Sequence, residues 1–469
     1  MGVFYTAGET KIRPGVYQRY SNAGGSQIPS ALNGVCAIVI TASWGPVGTV
    51  TTHESSRSIE ETYGSGESVD VAKMLIAGGA SKVYIVRAAG ASGSEGEAGT
   101  ATLEPNITLN SKYAGSRQIK VKVAANPADS TLKNVYVLEG TSQLEKFEYT
   151  ADATDERDAF IAAIADSQYI TAVKGDTEGA VSEQEVILTG TDPEPSTDEY
   201  EDAFYALEPY DYNVIITDKA TNAYNNLLVA YIDEAYKGGK FIMSVVGELT
   251  TGDGKVDFAT RCANAKAFNN KKVIYMGSGW INSENEVVDG AKAVAYTAGL
   301  VAGTPATQSI VHAVVSGAID LIDKLTNAQH ETAIKSGMLT LSMNSDRQIW
   351  YDSGVNTLIT LAANQDEGWK KIKRVKTRFE VMYRVDKAVA PKVGKVRCDA
   401  DGIADIIQTG RGVLHAMCAE KKIKAGYDMY LDPDLGYSGD SAWFIVAVDD
   451  IDTLEKIYLH YHFRYTDAA

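Results

Sequence analysis

The segment Gly34-Val35-Cys36-Ala37-Ile38-Val39-Ile40 is apolar at every position. Successive residues of a strand point to opposite faces, so an uninterrupted apolar run describes a strand covered on both sides. Trp44-Gly45-Pro46 then ends it with turn chemistry. The same texture returns in Val83-Tyr84-Ile85-Val86, in Phe241 to Val246 and in Lys272 to Met276. Helical patterns over 68–77, 222–237 and 257–268 lie between these runs, and Gly78-Gly79 and Gly238-Gly239 stop the first two. Helices alternating with doubly buried strands predict an α/β layer with parallel or mixed pairing.

A different texture occupies 96–195. Small-residue linkers, 90–100 and 190–197, flank it. Inside, Ile119, Val121 and Val123 alternate with Lys120 and Lys122, which is the pattern of a half-exposed strand. Further strand-like runs surround one helix near 155–166. The chain therefore reads as α/β with α+β character (α/β, α+β mixed) and as multidomain. Its expected parts are an extended N-terminal arm (1–33), an α/β core (34–95 and 196–345), an inserted β-rich domain (96–195) and a C-terminal α+β domain (346–469) with a terminal strand or arm.

With 44 Lys and Arg against 61 Asp and Glu, the net charge is −17, the wrong sign for neutralising phosphates; nucleic acid is not an expected partner. Cys36, Cys262, Cys398 and Cys418 are far apart and form no CxxC pair, which suits a reducing cytoplasm better than a disulfide framework or a zinc site. The first twenty residues lack a signal-peptide apolar region, and no apolar stretch approaches the ~20 residues of a membrane span. Synthesis in the cytoplasm and no membrane insertion are the expectations.

Sites that carry chemistry are hard to find. Gly277-Ser278-Gly279-Trp280 follows a strand but lacks the third glycine of a dinucleotide loop. Gly64-Ser65-Gly66-Glu67-Ser68 lacks the lysine of a phosphate loop, and Ser68 reads as a plain helix N-cap. His460 and His462 share one face of a strand, where neighbouring Arg464 opposes a cation. Asp449, Asp450 and Asp452 form an acidic turn. No catalytic residue, metal ligand or cofactor is expected.

Two features remain. Lys370, Lys371, Lys373, Arg374, Lys376 and Arg378 form a basic run without an intervening acid, inside the helical pattern 368–388. They read either as a solvated helix face or as a docking patch for an acidic protein surface. The chain's last strand pattern, Ile457-Tyr458-Leu459-His460-Tyr461-His462-Phe463-Arg464-Tyr465, alternates apolar with polar residues at a place where strands usually fray. An apolar strand there is an aggregation hazard unless it is paired. Addition to another subunit's sheet would resolve this. The shorter run Val16-Tyr17-Gln18-Arg19-Tyr20 in the N-terminal arm has the same character.

Arg13-Pro14-Gly15-Val16-Tyr17, the run from Gly34 through Trp44-Gly45-Pro46, Tyr63-Gly64, Gly78-Gly79 with Val83 to Arg87, Tyr210 to Ile215 and Ala298 to Gly303 occur in this order along the chain. In that order the chain resembles the tail sheath proteins of contractile phage tails and phage-tail-like bacteriocins. The resemblance implies hexameric rings stacked helically around a tail tube, contraction that drives the tube through a target envelope, and terminal arms that add strands to neighbouring sheets. It implies an outward-facing inserted domain and an inner C-terminal domain, which would turn the basic cluster toward the tube. Implied partners are other copies of the chain, the tail tube protein, and baseplate and tail terminator proteins; no cofactor is implied. The alternative is a cytosolic α/β enzyme with an inserted lid domain.

Overall fold

Val35–Ile40 is buried at all six positions because it is an interior strand of a seven-stranded sheet. The computed structural model describes residues 33–151 and 154–464, together with the backbone alone of Val3–Phe4 and Tyr17–Gln18. The sheet runs Met338–Leu339, Val273–Met276, Met243–Gly247, Val214–Thr217, Val35–Ile40, Lys82–Arg87, Val50–His53. Every pairing is parallel except the last.

Alternation divides the sheet's side chains between two cores. Cys36, Ile38 and Ile40 meet the helices Glu67–Gly78 and Ala291–Gly303. Ala37 and Val39 belong to the opposite face, covered by Thr197–Leu207, Asn222–Lys237 and Phe258–Phe268. Glu67–Gly78 and Ala291–Gly303 touch backbone to backbone: a Cβ on Gly299 would stand 2.1 Å from the Leu75 carbonyl oxygen, and one on Gly78 2.1 Å from that of Tyr296. Only glycine permits this approach.

The inserted segment is two antiparallel sheets packed face to face. One has Ser142–Thr150, Leu132–Glu139, Ile119–Ala125 and Gln184–Leu188; the other has Ile170–Lys174, Ile107–Ala114 and Ala98–Leu103. Ile119, Val121 and Val123 point into the core between them, as the alternation with lysine requires.

The two joints differ from flexible linkers. Glu97 and Thr191 exchange backbone hydrogen bonds of 3.1 and 3.0 Å, and Ala91 N–H donates to the Glu194 carbonyl at 3.0 Å, so each strand of the joint braces the other. Trp44, from the turn after the buried core strand, is 2 % exposed and lies in the insert's own core, edge-on to Tyr113 and stacked on Tyr169. Arg87, at the end of its strand, donates to the carbonyls of Gly45 and Ala114 and so ties the two units. Trp44→Ala is expected to lower stability by ~3 kcal/mol, the cost of a cavity at this junction. Denaturant unfolding followed by tryptophan-independent circular dichroism checks it.

The C-terminal unit shares its first part with the main core. Ile349, Tyr351, Ile372, Val375 and Phe379 belong to the cluster beneath the large sheet. A separate small core starts at Val381, where the helix Ile372–Val389 meets Ala400–Ala419 and the two-stranded sheet Asp428–Leu431 with Phe444–Ala447. Along Ala400–Ala419, Ile403, Leu414 and Met417 form a buried apolar stripe, with Ile406 and Ile407 at its half-buried edge.

Candidate functional site

The basic run does not form one free face. Lys370 closes a short turn, Glu367–Lys370, and Lys371 precedes the helix; only the other four lie within Ile372–Val389. Lys370 pairs with Glu367 at 3.0 Å. Lys371 donates to Asp452 at 2.7 Å and pairs with Glu455 at 3.1 Å. Lys373 is 4 % exposed; burial pushes its ammonium pKa down, against the pull of the Asp452 and Asp450 charges.

Arg374 holds Asp450 with two bonds, Nε to Oδ2 at 2.5 Å and Nη2 to Oδ1 at 2.8 Å. Arg378 adds a bond to Asp450 at 3.1 Å and two to Asp366, and its guanidinium stacks 4.5 Å from the Trp369 ring centre. The paired arginines hold the Asp450 carboxyl below the usual carboxylate range, although its burial pulls the other way. Lys376 points away, donating to the carbonyls of Val301, Ala302 and Thr304 at the end of Ala291–Gly303. Burial pushes its ammonium pKa down to about 8. These six charges are thus spent largely inside the subunit, and the expected open patch is not what the fold builds.

Three of them, Lys371, Arg374 and Arg378, hold the root of the terminal strand. Asp450 and Asp452 of the acidic turn are the counter-charges of Arg374, Arg378 and Lys371. Asp449 and Ile451 are fixed by backbone bonds: Lys424 N–H donates to the Asp449 carbonyl at 2.8 Å, and Ile451 N–H to that of Lys422 at 3.0 Å. Ser309 Oγ donates to Glu455 at 3.0 Å. Sequence reasoning missed Glu455 and Ser309 altogether.

Beyond Glu455 the chain leaves the protein. Residues 456–464 have no turn, no helix and, among the described residues, no backbone hydrogen bond. Tyr458 is 89 % and Phe463 95 % exposed, with Ile457, Leu459 and Tyr461 nearly as open. The His460 and His462 rings are neighbours at 4.3 Å, and Tyr461 stacks with Phe463, so alternate residues share a side as in a strand. Tyr465 lies outside the described residues. So do Val16, Arg19 and Tyr20 of the N-terminal run; Tyr17–Gln18 forms a two-residue parallel pair with Val3–Phe4 of the same chain.

The large sheet offers a second place to look. Open α/β sheets bind ligands at the carboxyl ends of their strands where the chain order reverses, here between Val35–Ile40 and Val214–Thr217. A crevice of about 540 Å³ lies there, bordered by Thr41, Ser68, Asp192, Asp218 and Lys219. Its buried carboxylate, Asp218, is already used. Asp218 accepts from Thr41 N–H at 2.8 Å, Thr41 Oγ1 at 2.7 Å, Ser68 Oγ at 2.5 Å and the Tyr200 hydroxyl. Ser68 is accordingly not the helix cap expected from its position: Gly66 caps Glu67–Gly78, without a side-chain bond. Among the described residues, no group of three or more His, Cys, Asp or Glu side chains is placed to hold a metal ion, and no helix is long and apolar enough to cross a membrane.

Two adjoining family models match the chain: the phage tail sheath protein beta-sandwich domain over residues 94–192, and the phage tail sheath protein central domain over 193–355. Together they span more than half of it. The chain belongs to the phage tail sheath family. This sheath subunit is 22% identical to the phage-like element PBSX protein XkdK of Bacillus subtilis, over 98% of its own length and 99% of that protein's. Its fold is that of the sheath tail protein from Desulfitobacterium hafniense, with a TM-score of 0.71 at 19% identity, covering 93% of this chain and 100% of that one. It is also similar to the helical sheath of the anti-feeding prophage in its contracted state, with a TM-score of 0.54 at 11% identity over 97% and 99% of the two chains. The beta-sandwich model falls on the inserted two-sheet unit, and the central model on four of the seven strands of the large sheet.

Proposed function

We propose that the sheath subunit polymerises into hexameric rings stacked around a tail tube, and that contraction of this polymer drives the tube through a target envelope. Its ends would meet baseplate and tail terminator proteins, and the particle would be assembled in the bacterial cytoplasm. The protein's work is mechanical, carried by contacts between copies rather than by a reaction.

One observation carries the reading. The subunit covers its own cores, yet leaves Ile457 to Phe463 extended, with Ile457, Tyr458, Leu459, Tyr461 and Phe463 exposed and, among the described residues, no backbone partner. Such a strand needs a sheet edge. A second copy offers one: Asp428–Leu431 and Phe444–Ala447 make a sheet of only two strands, with Tyr430, Trp443 and Val446 partly exposed on and beside it. Donation of Val16 to Tyr20 by the N-terminal arm belongs to the same proposal. A tube-facing role for the basic cluster is the weaker part of this reading, since Lys373 is buried and the other five of its charges have partners within the subunit.

Purified protein at rising concentration is expected to sediment as large polymers, and negative-stain micrographs to show tubes with a regular ring repeat. A small closed oligomer that persists at every concentration and with tube protein present would refute the proposal.

A further inference from the structure

The root of the terminal strand is held in two unlike ways. Up to Ile451 it is anchored by backbone hydrogen bonds to Lys422 and Lys424 and by Asp450, whose side chain is 6 % exposed between Arg374 and Arg378. From Asp452 to Glu455, among the described residues, no backbone group bonds to another part of the fold; side chains hold. Those side chains converge on one cation, Lys371, and that pair is about one-third open to solvent, 32 % for Lys371 and 34 % for Asp452. Ser309 adds a single neutral-donor bond to Glu455.

We infer that the contact of Lys371 with Asp452 and Glu455 is a releasable latch that sets the free length of the donated strand. Closed, the strand departs at Lys456; open, it departs just after the Ile451 anchor. Opening frees residues 452–455, about 13 Å of chain at ~3.3 Å per residue. The inference rests on the donated-strand reading for its purpose: copies joined by a strand must stay joined while their spacing changes, and a latch lends slack without loosening the root. A pair one-third open to solvent is screened by salt more readily than a desolvated aspartate between two arginines. Lys371 acts here as a positioning residue, through the chain it holds.

The test uses trypsin on the full chain. Cleavage after Lys456 requires its flanking residues to move freely, whereas Arg464 lies in a segment already free, so the ratio of the two rates reports the latch. Asp452→Asn with Glu455→Gln is expected to raise the Lys456 to Arg464 ratio about tenfold. The same variant should raise the critical concentration for polymerisation about twofold, because effective concentration falls as roughly the −3/2 power of tether length. Lys371→Glu combined with Asp452→Lys and Glu455→Lys exchanges the charges; because it adds tryptic sites, its ratio is read with chymotrypsin, Tyr458 against Phe463, and should return to that of the unaltered protein. In the unaltered protein, raising salt should increase the ratio, which keeps the test usable if a variant folds poorly. An unchanged ratio in the neutralised variant and in salt, or no rescue by the exchanged charges, overturns the latch. Polymerisation by a chain ending at Glu455 would instead overturn strand donation while leaving the cleavage ratio to decide the latch.

Discussion

A chain ending at Glu455 is expected to melt where the full subunit melts and to form no tubes. Ile457, Tyr458, Leu459, Tyr461 and Phe463 are exposed in the subunit, so their removal takes nothing from a core. Surface changes of this kind shift stability by no more than ~0.5 kcal/mol. In a polymer the same side chains would be covered, at ~1.5–3 kcal/mol for each one fully buried. Ordering the segment costs ~1–2 kcal/mol per residue. The net gain per joint is therefore modest, but every copy in the polymer makes one. Loss of the strand should raise the critical concentration at least ~100-fold, equivalent to ~2.7 kcal/mol. Thermal melting and analytical ultracentrifugation measure the two halves of this expectation. Tubes at the ordinary concentration would remove the strand from the assembly.

Reversing Lys370, Lys371 and Lys373 to glutamate is expected to unfold much of the C-terminal unit. On a solvated face the change would be mild. At Lys373, however, it places a carboxylate at a position 4 % exposed, already facing Asp450 and Asp452. An uncompensated buried charge costs ~3–5 kcal/mol, and the lost Lys371 pairs add to that. Against a typical reserve of ~5–15 kcal/mol this is severe. Guanidinium unfolding should show an early transition for the C-terminal unit. An unaltered midpoint would mean that the cluster is a surface feature after all.

These two expectations mark where the sequence was readable and where it was not. Strands buried on both faces announce themselves by apolar runs, so Val35–Ile40 and its parallel neighbours could be read from pattern alone. Alternation placed Ile119, Val121 and Val123 inside the inserted unit for the same local reason. The order of motifs from Arg13 to Gly303 carried the family. Pairing across long separations has no such local signature. The basic run at 370–378 and the acidic turn at 449–452 were each visible, one as a patch and the other as a charged loop. Nothing in either segment states that the fold brings them together. Opposite signs in the same C-terminal unit were the one available hint. Ser68 was misread for a related reason: its hydroxyl had a partner 150 residues away, Asp218, that outcompeted the helix end it was expected to cap.

The place of Val35–Ile40 in the sheet has a mechanical consequence. The chain enters this strand from Asn33 through Gly34, so a pull applied there along the strand's axis would load the strand lengthwise. Four residue pairs join it to Val214–Thr217 on one side and six to Lys82–Arg87 on the other. A load in that direction stretches both ladders in shear, with all rungs sharing it, rather than peeling them open one after another. Tension transmitted through the arm would thus meet one of the most force-resistant elements of the subunit, while the strand at the other end of the chain is free to pay out.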